Sequence, residues 1–123
     1  MRQIRLQSNF IEIPLVDDKG EVVETFKFDK TDEGIANLEK QYKKVTEMAK
    51  SDENFESQAK RKAFMKIAVD GTFGAGSFDK LYKLNPSLTI VSAYYLQMCL
   101  AIKEDINDMV DKNDQVLNKY MEG

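Results

Sequence analysis

The segment Gly71-Thr72-Phe73-Gly74-Ala75-Gly76-Ser77 is where residue types first suggest chemistry, because closely spaced glycines let backbone amides approach a phosphate. A phosphate loop needs a strand before it and a lysine ahead of its closing hydroxyl residue. Here a helical pattern precedes the glycines and Gly76 stands before Ser77, so neither that loop nor a dinucleotide fingerprint fits. The same glycines suit a tight corner between two helices, with Phe73 and Phe78 dropping into a core.

Two acidic sets invite a cation. Asp111-Lys112-Asn113-Asp114-Gln115-Val116, closed by Glu122, has acids at the first and last positions of a calcium loop. Val116 stands where that loop turns on glycine, and Gln115 is a weak ligand. Glu104, Asp108 and Asp111 share a helical face, but Lys103 and Lys112 flank them, and the pattern is that of a solvated surface. The chain has no histidine and one cysteine, Cys99, which removes the commonest general base and most nucleophile pairs. The expectation is a non-enzymatic protein with no metal and no cofactor. Cys99 cannot form an internal disulfide, and its apolar surroundings in sequence suit a buried thiol in a reducing, intracellular setting.

Lys60, Arg61, Lys62 and Lys66 are the basic concentration, extended by Lys40, Lys43 and Lys44. They could contact phosphates, which makes a nucleic-acid-associated regulatory protein the alternative reading. Against it, acids interleave with these residues at Glu39, Glu47 and Glu56, and the net charge of -3 repels nucleic acid and anionic membrane on average.

The elements that must position these residues read clearly in outline. The 123 residues suit one domain, and 42% hydrophobic residues with two prolines and six glycines suit a folded one. Phe10 to Val16 and Val22 to Phe28 are rich in β-branched and aromatic residues, and Asp17-Asp18-Lys19-Gly20 between them is a turn. This predicts a hairpin over about 9–28, with Pro14 at an edge or a bulge. Glu12 and Pro14 also interrupt the apolar run behind Arg2 and Arg5, so no secretion signal is expected.

The helical part should occupy about 31–121. Helix one starts near Thr31, capped by Asp29 or Thr31, with the stripe Ile35, Leu38, Tyr42, Val45, Met48. Ser51-Asp52 reads as a break and a cap for helix two, from about Glu53 to Asp70. Its buried set is Phe55, Ala59, Ala63, Phe64, Ile67 and Ala68, and Gly71 stops it. The two should form an antiparallel hairpin. Ser77 caps a short helix through Lys83, and Asn85 caps a long one with Pro86 at its first position. The fold class is therefore α+β, mainly α.

The last helix has an unusual composition. Leu84 to Ile102 contains no charge in a chain that is 32% charged. One stripe runs Leu88, Val91, Tyr95, Met98, Cys99, Ile102, Ile106, Met109, Val110, continuing to Leu117 and Tyr120. Ile90, Ala93, Tyr94, Leu100 and Ala101 line the opposite face, so the first half is apolar nearly all round. Asn85, Pro86, Ser87, Thr89, Ser92 and Gln97 argue against a membrane span. Either the hairpin and short helix or another subunit must cover the second face. Ile90, Tyr94, Leu100 and Ala101 are thus the candidate partner-binding residues.

The helix start Asp32-Glu33-Gly34-Ile35-Ala36-Asn37-Leu38-Glu39-Lys40 and the stretch Gly74-Ala75-Gly76-Ser77-Phe78-Asp79-Lys80-Leu81-Tyr82, ahead of an aromatic-rich helix, carry a family likeness. Over about Phe10 to Asp108 the chain resembles the small tail assembly chaperones of long-tailed phages and prophages of Gram-positive bacteria. The resemblance implies a mainly helical, non-enzymatic protein of the bacterial host cytoplasm. Such a protein binds the tape measure protein, keeps it soluble, tends to self-associate and often has a longer frameshifted form. No set of named binding residues transfers with it.

Overall fold

The computed structural model describes residues 2–50 and 57–122, with nothing to be said of the Ala49 side chain. Along the chain come β1 (Phe10–Val16), β2 (Val22–Asp29), α1 (Asp32–Lys50), α2 (Gln58–Phe73), α3 (Ser77–Leu84) and α4 (Leu88–Glu122). The fold is α+β and mainly α: an antiparallel hairpin followed by helices, the last of them long.

The hairpin forms where β-branched and aromatic residues alternate. Ile11 pairs with Phe28 and Ile13 with Phe26, which places four apolar side chains on the face turned to the helices. The turn is held by Asp17, whose Oδ1 accepts from the Lys19 and Glu21 amides at 2.9 and 3.0 Å, while Gly20 takes a φ of 81°. Pro14 pairs in register with Thr25. The irregularity falls between Leu15 and Val16 instead, where Val23 is left with no partner across the ladder.

Thr31 opens α1, its Oγ1 accepting from the Gly34 amide at 3.3 Å, while Asp29 accepts from the Thr31 amide at 3.0 Å. Leu38 and Val45 are buried, and Ile35, Tyr42 and Met48 pack against the same core, as the periodicity predicts. At one end of the pair Asn37 donates to the Gly71 carbonyl, and at the other Val45 and Met48 face Arg61, so α1 and α2 run antiparallel.

The second helix departs from its sequence reading. Ser51-Asp52, Glu53 and Phe55 lie outside the described residues. Within them, Ser57 caps α2 by accepting from the Lys60 amide at 3.3 Å. Its buried residues are Met65, Ala68 and Val69, while Ala59, Ala63 and Ile67 are exposed, Ile67 at 67%. Apolar residues lie on every side of this helix, so periodicity alone picks no face. Contacts with α1 on one side and with α3 and β2 on the other decide which side is covered.

The stop and start signals shift as well. Gly71 lies inside α2 without breaking it, and Gly74, at φ 106°, ends the helix. Gly76, at φ 87°, begins α3, and Ser77 is a buried first-turn residue instead of the cap. The missing side-chain cap is supplied from α2, where Asp70 Oδ1 accepts from the Phe78 amide at 2.8 Å. For α4 the cap is Ser87 and not Asn85: its Oγ accepts from the Ile90 amide at 3.4 Å, and Asn85 ends α3.

Phe26, Phe28, Leu38, Val45, Met65, Val69, Phe78, Leu81 and the α4 residues Val91, Tyr95, Met98, Cys99 and Ile102 form one buried cluster. Phe73 stands edge-on to both Phe26 and Tyr95, at 5.8 and 6.2 Å between ring centres, and so ties the sheet to α2 and α4.

Candidate interaction surface

The α4 helix contains 35 residues, about 52 Å of helix at 1.5 Å per residue, and its core-facing stripe ends early. Val91, Tyr95, Met98, Cys99 and Ile102 are fully buried, and Leu88 and Ile106 are half-buried against the core. At Met109 the thioether meets the Lys30 ammonium at 3.7 Å. From Val110 onward every described residue is exposed, including Val110, Val116, Leu117, Tyr120 and Met121. Leu117 and Tyr120 continue the stripe in sequence but remain exposed among the described residues.

On the second face of α4, Ile90, Leu100 and Ala101 are exposed, Leu100 at 54%, whereas Tyr94 is half-buried and packs against the core. The sheet end and the end of α3 approach this face only in part. Leu15, Val16, Val23 and Leu84 stand opposite Tyr94 and leave a groove of about 500 Å³ with Asp17 on its rim. Val23 was not legible as a surface residue, because its position there follows from the bulge.

The basic set is not gathered into one free surface. The Lys62 ammonium lies 4.0 Å above the Tyr82 ring and Lys66 pairs with Asp79 at 3.4 Å, so both side chains are turned to α3. Arg61 is half-buried, and Lys60, Lys40, Lys43 and Lys44 are exposed. An exposed pair such as Lys66–Asp79 contributes little to stability.

These contacts also give the Gly74 to Tyr82 stretch a physical account. Its two glycines hold positive φ, Phe78 and Leu81 are fully buried, and Asp79 and Tyr82 receive Lys66 and Lys62 of α2. The motif builds the corner between α2 and α3.

The acidic candidates fall on solvent-facing helix. Asp111 to Glu122 is continuous α4, so it has none of the loop geometry that calcium requires. Glu104, Asp108 and Asp111 are exposed, and among the described residues no group of three or more His, Cys, Asp or Glu is placed to hold a metal ion. Burial pushes the Cys99 thiol up to about 11 and raises the Tyr95 phenol above its ordinary range, so both keep their protons at neutral pH. Among the described residues no helix is long and apolar enough to cross a membrane. No protein-family model, curated protein or solved structure matches this chain.

Proposed function

We propose that this chain is a non-enzymatic tail assembly chaperone of a long-tailed phage or prophage. It would hold helical segments of the tape measure protein soluble in the bacterial cytoplasm while the tail is built. The observation that carries the reading is the exposed apolar surface of α4, which has Ile90, Leu100 and Ala101 on its second face and Val110, Leu117 and Tyr120 beyond the core. Apolar side chains at helical spacing take the apolar face of a partner helix, and tyrosine and leucine supply contact area at little entropic cost. The acids Glu104, Asp105, Asp108, Asp111 and Asp114 along the same helix favour a client helix that carries lysine or arginine. The likeness of the Gly74 to Tyr82 corner to tail assembly chaperones points the same way.

Co-expression with the longest helix-rich protein encoded just downstream tests the proposal. A tagged chain should pull that protein down and raise its soluble fraction. A well-folded chain that does neither would end the reading.

A further inference from the structure

We propose that the N-terminal segment Arg2–Ser8 of one copy docks in the groove beside Tyr94 of a second copy. The groove borders the second face of α4 on which the client reading rests, but the arm is a different segment and the contact is between like chains.

Residues 2–8 carry no regular structure and all are exposed, with Ile4 at 88% and Leu6 at 93%. From Arg2 to Gln7 the segment makes no hydrogen bond or ion pair among the described residues. In extended backbone Arg2, Ile4 and Leu6 fall on one side, the two apolar side chains roughly 7 Å apart. This is the pattern of a strand-like arm whose apolar side has no cover in its own chain.

The groove is the matching feature. Leu15, Val16, Val23 and Leu84 wall it against Tyr94, its volume is about 500 Å³, and Val16, Val23 and Leu84 are left substantially exposed. Charge agrees with shape. The arm carries Arg2 and Arg5 with no acid, whereas the hairpin beside the groove carries Asp17, Asp18, Glu21 and Glu24 against Lys19. Asp17 uses only Oδ1 for its two turn amides, so Oδ2 is open to a guanidinium. With Ile4 and Leu6 in the groove, Arg2 on the same side reaches that rim.

Chain length excludes the arm's own groove. Asn9 lies at the far end of β1 from Val16, and seven residues of strand span about 23 Å. Leu6 is three residues from Asn9 and Ile4 is five, reaches of at most about 11 and 18 Å. The groove lining begins at Pro14, about 16 Å from Asn9, so Leu6 falls short of it in its own chain, and a second copy can seat both side chains.

Sedimentation of the purified chain over a concentration series, beside Leu6→Asp, reads the contact. Wild type should associate with concentration, and Leu6→Asp should weaken association by at least roughly tenfold, the loss expected for one buried leucine, with an unchanged circular dichroism spectrum. Mixing Leu6→Cys with Val23→Cys under oxidation should give a disulfide between unlike chains, while Leu6→Cys with Lys119→Cys should not. A chain that stays monomeric, a Leu6→Asp variant that associates like wild type, or equal cross-linking to Val23→Cys and Lys119→Cys would each overturn the proposal. Because the arm variant leaves α4 untouched, its client pull-down separates failure of this contact from failure of the chaperone reading.

Discussion

The Tyr95 hydroxyl donates to Thr72 Oγ1 at 2.8 Å, because the Thr72 proton is committed to the Ala68 carbonyl at 2.8 Å. This chain of two bonds joins the middle of α4 to the last turn of α2 and satisfies a phenol that is buried completely. The partners are not equivalent. Tyr95→Phe removes a donor and leaves Thr72 bonded to Ala68, which should cost about 1 kcal/mol. Thr72→Val leaves the buried phenol only the weakly accepting Cys99 sulfur and should cost more, up to about 3 kcal/mol. Urea unfolding of the two variants checks the order, and equal losses would contradict this account of the bond.

Cys99 lies one turn beyond Tyr95 and has no exposed surface. Burial disfavours the thiolate and pushes the thiol up to about 11 from its ordinary value of 9.0. A raised folded value means that the folded chain holds its proton longer than the unfolded chain. The contribution is whole below about pH 9 and is lost as pH climbs toward 11, with a slope of at most about 1.4 kcal/mol per pH unit. Stability measured from pH 8 to 11 should decline less steeply in Cys99→Ala. In the native wild type, a thiol reagent at pH 8 should react only as the chain unfolds.

Gly34 and Gly71 offer a matched pair. A Cβ at Gly34 would lie 1.9 Å from the Asp29 carbonyl oxygen, where α1 leaves the end of β2. At Gly71 the nearest atom is the flexible Gln41 amide at 3.4 Å. Gly34→Ala must push backbone apart and should destabilise by about 1–3 kcal/mol. Gly71→Ala should be neutral or stabilising by up to about 1 kcal/mol, because alanine is the better helix former. Thermal melts of both variants read the contrast.

The legible parts of this fold are those where local pattern and tertiary contact agree. Ile11, Ile13, Phe26 and Phe28 alternate as a hairpin must, and Leu38 and Val45 mark the buried side of α1 because its polar residues lie opposite. On α2 the pattern selects Ile67, yet Val69 is buried, since apolar residues surround that helix and only its neighbours choose among them. The candidate surface was half legible. Leu100 and Ala101 stand out in sequence as a second apolar face, whereas Leu117 and Tyr120 read as core because periodicity does not reveal where the supporting surface ends. The groove is built from three elements and a bulged Val23, and no local signal brings those together.

The central claim is that the exposed apolar surface of α4 holds a helical client. Its most direct test compares co-purification of the helix-rich downstream protein with wild type, Leu100→Asp and Leu117→Asp. Both positions are more than half exposed, so the substitutions should leave the fold intact, whereas Tyr94→Asp would disturb a side chain packed on the core. The account predicts that each variant melts like wild type and recovers roughly tenfold less client, as expected for losing one buried apolar contact. Full client recovery with both variants, or none with wild type, would contradict it.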